Sequence, residues 1–97
     1  MRIIAKRTLR EYWLKHANSR KDLEEWYTIT SKANWVSPHS VKDTYPKASI
    51  VAENRVVFNI GGGNFRLVVK MAYRSGICFI RFVGTHKEYD KIDVTKI

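Results

Sequence analysis

The stretch GTHKEYDKID, which begins at Gly84, places an imidazole, a lysine, a phenol and acidic side chains within a few residues. It follows CFIRFV, whose apolar residues indicate a buried strand. His86 is the best acid/base candidate because imidazole titrates near neutral pH. Tyr89 is suited to stacking or to assisting proton transfer, and Asp90 to orienting His86 or a neighbouring Arg. A solvated loop would use the same residue types, so both interpretations are open at this point.

The chain carries a large excess of positive charge. It has 18 Lys and Arg against 9 Asp and Glu among 97 residues, which gives a net charge of +9. Its hydrophobic fraction of 44% and aromatic fraction of 12% are too high for a disordered tail. We therefore predict one folded domain over residues 1–97 that binds nucleic acid. An acidic protein is the second choice of partner, and an anionic membrane surface the third.

Neither a secretory signal nor an apolar run of transmembrane length is visible, which predicts a cytoplasmic protein that does not use a membrane. The single cysteine, Cys78, excludes an internal disulfide and a cysteine-built metal site. His16 and His39 have no partners at metal-ligand spacing. No P-loop lysine follows the GGG run, which predicts a hairpin turn there. The sequence thus predicts no metal and no cofactor.

The first half of the chain has helix signals. TLRE and SRKD, which begin at Thr8 and Ser19, match the capping-box pattern and predict the starts of two helices. Residues of the buried stripes then recur at helical spacing: Leu9, Trp13 and Ala17 in the first helix, and Leu23, Trp26, Ile29 or Thr30, and Ala33 in the second. Ser37 and Pro38 predict a third, short helix, and residues 1–5 an edge strand. The two longer helices should form an antiparallel hairpin.

After residue 50 the apolar period falls to two, which is typical of strands with one buried face. GGGN and SG supply two tight turns, so we predict an antiparallel meander whose last strand runs from about Ile77 to Gly84. A four-residue GGGN loop puts Val56, Phe58 and Ile60 on the core face. The expected fold is α+β, with an N-terminal helical hairpin packed on a small, mainly antiparallel sheet.

The register of the meander predicts a cationic face. A two-residue turn directly after Arg74 would pair Lys70 with Arg81, and Arg66 would lie on the same face. Arg55 and Arg74 also fall on this face. Like charges directly opposite each other destabilise a sheet, so such a cluster suggests a place where an anion binds.

The motifs NIGGGNFRLVVKMAY, IRF and THKEYD, in that order, resemble those of the HigB toxins of bacterial toxin–antitoxin pairs, within the RelE-like ribonuclease superfamily. The resemblance spans most of the chain and is strongest from Val56 to Asp93. It implies the RelE-like toxin fold and an endoribonuclease that cuts mRNA in the ribosomal decoding site. It also implies neutralisation by a HigA-type antitoxin that bears a helix-turn-helix domain.

The resemblance also suggests roles for single residues. The matching positions are Arg66, Arg81, His86, Lys87, Tyr89 and Asp90. We expect Arg66 and Arg81 to hold the scissile phosphate, and His86 and Tyr89 to complete the catalytic set, without a metal. The expected RNA contacts are Lys70, Lys87, Arg55 and Arg74, with Asp90 in support.

Two rival interpretations of the same residues remain. A non-catalytic RNA- or ribosome-binding module would use the cationic face without needing His86. A basic interaction domain would use that face to receive a strand or helix of an acidic protein.

Overall fold

The computed structural model describes all residues 1–97. Its main elements are β1 (Arg2–Ile4), α1 (Lys6–Lys15), α2 (Arg20–Lys32), α3 (Pro38–Thr44), β2 (Ser49–Val51), β3 (Arg55–Ile60), β4 (Phe65–Ala72), β5 (Ile77–Thr85) and α4 (His86–Tyr89). Short 3₁₀ turns lie at Ala17–Ser19, Gly61–Gly63, Tyr73–Ser75 and Val94–Lys96. None of the helices has the length and apolarity needed to cross a bilayer.

The strands form a single five-stranded sheet in the order β1-β5-β4-β3-β2. The edge strand β1 runs parallel to β5, and all other neighbouring strands are antiparallel. The predicted α+β fold and the predicted edge strand near the N-terminus are therefore confirmed. The opposite edge strand, β2, was not predicted.

The N-terminal helices and the sheet share one hydrophobic core. Leu9 and Trp13 of α1 and Leu23 and Trp26 of α2 are buried, as their helical spacing predicted. They cover the face of the sheet that carries Phe58, which we call the first face. Other buried residues of this face are Val56, Ile60, Leu67, Val69, Met71 and Cys78. The indole of Trp26 meets the ring of Phe58 edge to face, with centroids 5.4 Å apart.

Helices α1 and α2 do not begin with the capping boxes that the sequence predicts for them. Helix α1 starts at Lys6, so Thr8 lies inside its first turn and caps nothing. The hydroxyl of Ser19 donates to the His16 carbonyl at 2.7 Å and does not cap α2. The third start is confirmed, because Ser37 caps α3 directly before Pro38.

The GGGN turn sets the predicted register between β3 and β4, with Ile60 opposite Phe65. The next turn is longer than predicted. It contains the 3₁₀ turn Tyr73–Ser75 and is closed by Gly76, whose φ of 70° suits a residue without a side chain. Lys70 consequently lies opposite Phe79. The predicted pairing of Lys70 with Arg81 is wrong. The argument that two directly opposed cations mark an anion-binding site therefore fails.

A bulge in β5 separates Arg81 from the regular ladder. Ile80 pairs with Val69 and Phe82 with Val68, so Arg81 has no partner on β4. Its side chain is exposed. Bulges re-aim side chains and break the alternation of faces, which is why a period-two pattern could not place Arg81.

The C-terminal segment, which follows α4, is attached to the second face of the sheet. Val57 and Val68 lie opposite each other on this face and are 3% and 0% exposed, although neither belongs to the main core. Arg55, which is only 8% exposed, donates through Nη1 to the Glu53 carbonyl at 3.0 Å and through Nη2 to the Ile97 carbonyl. Arg55 therefore holds the C-terminal segment on the sheet. The prediction that it contacts RNA conflicts with this burial.

The change Arg55→Ala should lower the free energy of unfolding by about 2 kcal/mol, because it removes charge-assisted hydrogen bonds from a buried site. Urea denaturation followed by circular dichroism measures this quantity. The matched change Arg74→Ala, at an exposed turn, should alter it by less than about 0.5 kcal/mol. Equal stability of both variants would show that Arg55 does not anchor the segment.

Candidate active site

The turn formed by Gly61–Gly63 and Asn64 joins the elements that carry the candidate residues. Three glycines with positive φ, from 63° to 100°, let the chain reverse in a conformation that other residues rarely adopt. The backbone N–H of His86 donates to the Asn64 carbonyl at 3.1 Å. The start of α4 is thereby attached to the β3–β4 turn, next to the first residues of β4.

Arg66 is fixed by this turn. Its Nη1 donates to the Gly63 carbonyl at 2.6 Å and to the Phe65 carbonyl at 3.2 Å. The guanidinium carbon lies 6.0 Å from the centre of the Tyr89 ring, a cation–π contact that ties β4 to α4. Nε and Nη2 make no hydrogen bond within the protein. These two nitrogens form one edge of the guanidinium fork, which matches two phosphate oxygens.

Helix α4 is short but well capped. The Thr85 hydroxyl accepts from the Glu88 N–H at 3.2 Å, and the Glu88 carboxylate accepts from the Thr85 N–H at 2.8 Å. The two hydrogen bonds form a capping box. Gly84, opposite Arg66, leaves the space that this arrangement needs. A Cβ there would come within 2.6 Å of the Phe82 ring and 3.2 Å of the Glu88 carboxylate.

Helix α4 also positions an imidazole and a carboxylate on one side. Nδ1 of His86 lies 3.0 Å from Oδ2 of Asp90, one helical turn later, and both side chains are more than half exposed. An ionised carboxylate at this distance favours a hydrogen on the facing Nδ1 over one on Nε2. Nε2 of a neutral His86 then carries the free lone pair and is directed away from Asp90, as a proton acceptor requires. The supporting role predicted for Asp90 agrees with this geometry.

Helix α1 packs against the start of β4 and lies close enough to α4 for charges to interact. Tyr12 stacks on His16 with ring centroids 4.1 Å apart and meets Phe65 edge to face at 5.9 Å. Desolvation and the nearby charge of Glu88 raise the pKa of Tyr12. The pKa of Glu88 is lowered, chiefly by its backbone and side-chain hydrogen bonds with Thr85 and to a smaller extent by His16. Helix α1 thus reaches the candidate site, which we call the corner and which consists of the β3–β4 turn, the start of β4 and α4.

The remaining predicted residues are spread over the sheet. Lys87 is exposed on α4, directly after His86. Lys70 lies on the same strand as Arg66, four residues further on, which is about 13 Å. Arg81 is three residues before Gly84, the partner of Arg66, which is about 10 Å along β5. The structure therefore brings together Arg66, His86, Tyr89, Asp90 and Lys87, but does not place Lys70 or Arg81 beside Arg66.

Arg74 lies even farther away, in the turn after the far end of β4. It is exposed and makes no ion pair, but it cannot act on the phosphate that Arg66 would hold. Its predicted RNA contact stays a prediction.

Sequence reasoning missed the residues that hold this corner together. Glu88 was counted only as an acid, although THKE has the same capping-box spacing that TLRE and SRKD have. Asn64 and Gly63 act through backbone carbonyls, for which the sequence has no signal beyond the turn itself. The electrostatic effect of His16 on Glu88 acts between residues far apart in the sequence, and no local pattern indicates it.

The corner is chemically suited to an anionic substrate that gives up and receives protons. It offers a guanidinium edge, an oriented imidazole and a phenol ring close together. No group of three or more His, Cys, Asp or Glu side chains is arranged to hold a metal ion.

Comparison with known proteins identifies the class to which this fold and site belong. The family of HigB toxins, described as the RelE-like toxic component of a toxin–antitoxin system, matches residues 19–92. The chain therefore belongs to the HigB toxin family. The predicted family and the predicted role as the toxin of a toxin–antitoxin system are confirmed, and an antitoxin partner follows from that role.

Curated relatives align over almost the whole chain. The mRNA interferase toxin HigB of Escherichia coli (strain K12) is 30% identical over 92 residues, which cover 93% of this chain and 88% of the relative. The mRNA interferase HigB of Shigella flexneri has the same identity and coverage. The mRNA interferase HigB of Escherichia coli O6:H1 is 24% identical over 94 residues, which cover 95% of this chain and 91% of the relative.

The ionised Glu88 carboxylate should hold the first turn of α4, and acidification should release it. Because the pKa of Glu88 is lowered in the folded protein, this stabilisation is complete above the unfolded-state pKa and is lost as the pH falls through the folded-state pKa. NMR titration should give Glu88 a midpoint below about 4.3, the value of an unperturbed Glu. The Thr85 amide shift should follow the same midpoint.

The change Glu88→Gln provides the control for this titration. Glutamine keeps an acceptor for the Thr85 N–H but carries no titrating group. The Thr85 amide should therefore lose its acid transition. A midpoint for Glu88 at or above the unperturbed value would contradict the capping-box assignment.

Proposed function

We propose that this protein is an endoribonuclease that cleaves mRNA in the decoding site of the ribosome without a metal ion. The observation that carries the proposal is the free Nε and Nη2 edge of Arg66, held rigid at Gly63 and lying beside the ring of Tyr89. The names of its relatives, mRNA interferases, support the same activity. Its site of action would be the cytoplasm, where mRNA is translated, and a HigA-type antitoxin with a helix-turn-helix domain would neutralise it.

The proposed reaction uses the 2′-hydroxyl of the substrate as the nucleophile. This oxygen attacks the adjacent phosphorus, its proton leaves, and the 5′-oxygen of the next nucleotide departs and receives a proton. The bond from phosphorus to the 2′-oxygen forms while the bond to the 5′-oxygen breaks, which yields a 2′,3′-cyclic phosphate. The protein must supply proton transfer and stabilise the charge that develops on the phosphate oxygens.

Each part of the corner has a task in this reaction. Arg66 holds two phosphate oxygens through its free edge and stays charged throughout. Nε2 of His86 exchanges a proton with the substrate while Asp90 keeps the ring in place. The ring of Tyr89 contacts the guanidinium of Arg66, and the Tyr89 hydroxyl takes part in the second proton transfer.

The exposed cations around the corner would hold the rest of the RNA. Lys87, which is exposed and follows His86, would contact a neighbouring phosphate. Arg81, on the bulge about 10 Å away along β5, would contact a phosphate further along the strand rather than the scissile one. Lys70 adds positive charge on the second face. These contacts would position the RNA without distinguishing its sequence.

The change Arg66→Ala should reduce the rate of mRNA cleavage in a translation extract by at least about 100-fold, as loss of a preorganised donor to a developing oxyanion does elsewhere. The variant should still be folded at the assay temperature, as circular dichroism would show, because the hydrogen bonds that it loses are local and only partly buried. The control Arg10→Ala, at an exposed position of α1, should cleave at nearly the original rate. Equal effects of both changes would remove Arg66 from the catalytic step.

A substrate with hydrogen in place of the 2′-hydroxyl at the cut nucleotide should bind to the toxin–ribosome complex but remain uncut. The products of an unmodified substrate should end in a 2′,3′-cyclic phosphate, or the 3′-phosphate formed from it, and a 5′-hydroxyl. End mapping and mass spectrometry measure both. Products with a 5′-phosphate, or cleavage of the 2′-deoxy substrate, would show that water is the nucleophile and would refute the mechanism.

A further inference from the structure

A groove lies directly beside the corner that holds Arg66. Its larger part, about 380 Å³, is lined by Tyr45, Lys47, Phe58, Asn59, Gly62 and Gly63. Its smaller part, about 210 Å³, continues past Tyr45 to Asp22 and Glu25. The larger volume lies within the range of small-molecule sites in proteins. The groove is open because β2 covers only Arg55, Val56 and Val57 of β3, which leaves the end of β3 without a neighbour on the side opposite β4.

We infer that this groove is a subsite for one nucleobase of the substrate RNA, and that it favours a base with an exocyclic amino group. The inference rests on the proposed RNA-cleaving function. Recognition of unpaired RNA typically combines a flat surface on which a base stacks with polar groups that contact its edge. The groove has both of these, next to the proposed phosphate site.

The position of the groove connects it to Arg66 in two ways. Gly63 lines the groove, and its carbonyl is the acceptor that fixes Nη1 of Arg66 at 2.6 Å. Asn59 lines the groove as well, and it is the cross-strand partner of Arg66. Directly paired residues have Cβ atoms about 5 Å apart. A nucleotide whose phosphate binds Arg66 therefore has its base within reach of the groove.

The walls suit a flat aromatic ring. Gly62 is exposed and a Cβ added to it would meet nothing within 4 Å, so a base can lie directly on the backbone there. The opposite wall is Tyr45, whose ring is held edge to face by Phe58 at 5.2 Å and by Trp35 at 6.1 Å. A wall fixed in this way loses little conformational entropy when a base stacks on it.

The two ends of the groove carry opposite charges. Lys47 lies at one end, where it can meet RNA phosphate, while Asp22 and Glu25 lie at the other end and repel it. The carboxylates accept hydrogen bonds from an amino group of a base but not from a carbonyl. Asn59, which lines both parts, makes no side-chain hydrogen bond within the protein and is free to contact the edge of the base. These features favour cytosine, adenine or guanine over uracil.

The first experiment locates the base. Ribosome-bound mRNAs that carry an abasic nucleotide on either side of the cleavage site are compared with unmodified mRNA. One of the two abasic positions should slow cleavage about tenfold or more, while the cut still yields a 2′,3′-cyclic end. A wild-type protein that cuts no mRNA would refute the proposed function itself. Normal cutting with no abasic penalty would refute only the subsite.

The second experiment compares cytidine with uridine at that position, since the two differ in size very little and exchange an amino group for a carbonyl. The wild type should prefer cytidine about tenfold, and the changes Asn59→Ala and Glu25→Ala should each reduce this ratio several-fold. The matched control Asn34→Ala, at an exposed position outside the groove, should keep the wild-type ratio. An unchanged ratio in both groove variants would overturn the inference.

A different occupant would give a distinct result. If the groove instead receives the antitoxin, Asn59→Ala and Lys47→Ala would weaken neutralisation by the antitoxin in the translation extract. The base ratio and the abasic penalty would then stay at their wild-type values. That combination would replace the nucleobase subsite with a protein interface.

Discussion

The candidate chemistry depends on the backbone of one turn. Two successive carbonyls, those of Gly63 and Asn64, accept hydrogen bonds from the guanidinium of Arg66 and from the N–H of His86. The turn thereby fixes the first residues of β4 and the first residue of α4 relative to each other. Because both acceptors are backbone atoms, side-chain substitutions in the turn would affect this geometry only by changing its conformation. The glycines with positive φ are what make the conformation available.

The two faces of the sheet explain why the site lies at an end rather than on a surface of the sheet. The first face is covered by α1 and α2, and on the second face Val57 and Val68 are buried and Arg55 binds the C-terminal segment. Arg55, which would otherwise add a cation to the second face, is used to hold that segment. The end of the sheet near Arg66 is then the place where strand, turn and α4 converge without being covered.

Much of the fold was predictable because it depends on local periodicity. The apolar spacing of Leu9, Trp13, Leu23 and Trp26 predicted the buried sides of two helices, and the GGGN turn gave the correct register for β3 and β4. The β4–β5 register was not predictable in the same way. It depends on a four-residue turn and on the bulge at Arg81, and both insert residues that a period-two pattern cannot detect.

The capping boxes show where local pattern stops being informative. Four S/T-x-x-D/E sequences are present, at Thr8, Ser19, Ser40 and Thr85, and only the last forms the reciprocal hydrogen bonds. At Ser19 the hydroxyl instead donates to the preceding 3₁₀ turn, whereas at Thr8 the helix has already begun. The S/T-x-x-D/E spacing allows a capping box, but the backbone conformation of the residues before the helix decides whether the box forms. The sequence indicates the site residues on α4 by their chemical types, but only the tertiary structure shows how they are arranged.

The way in which Arg66 is held also distinguishes it from the two ion-paired arginines of the N-terminal helices. Arg7 and Arg20 pair with Glu11 and Glu24 on exposed helix surfaces, which compensates their charge. Arg66 is oriented only by neutral carbonyls and by the ring of Tyr89. These contacts fix the direction of the guanidinium without supplying a negative charge. The Arg66 cation is therefore fixed in position but has no anionic partner within the protein. In a protein of net charge +9, an anionic substrate can bind this guanidinium without first displacing a carboxylate.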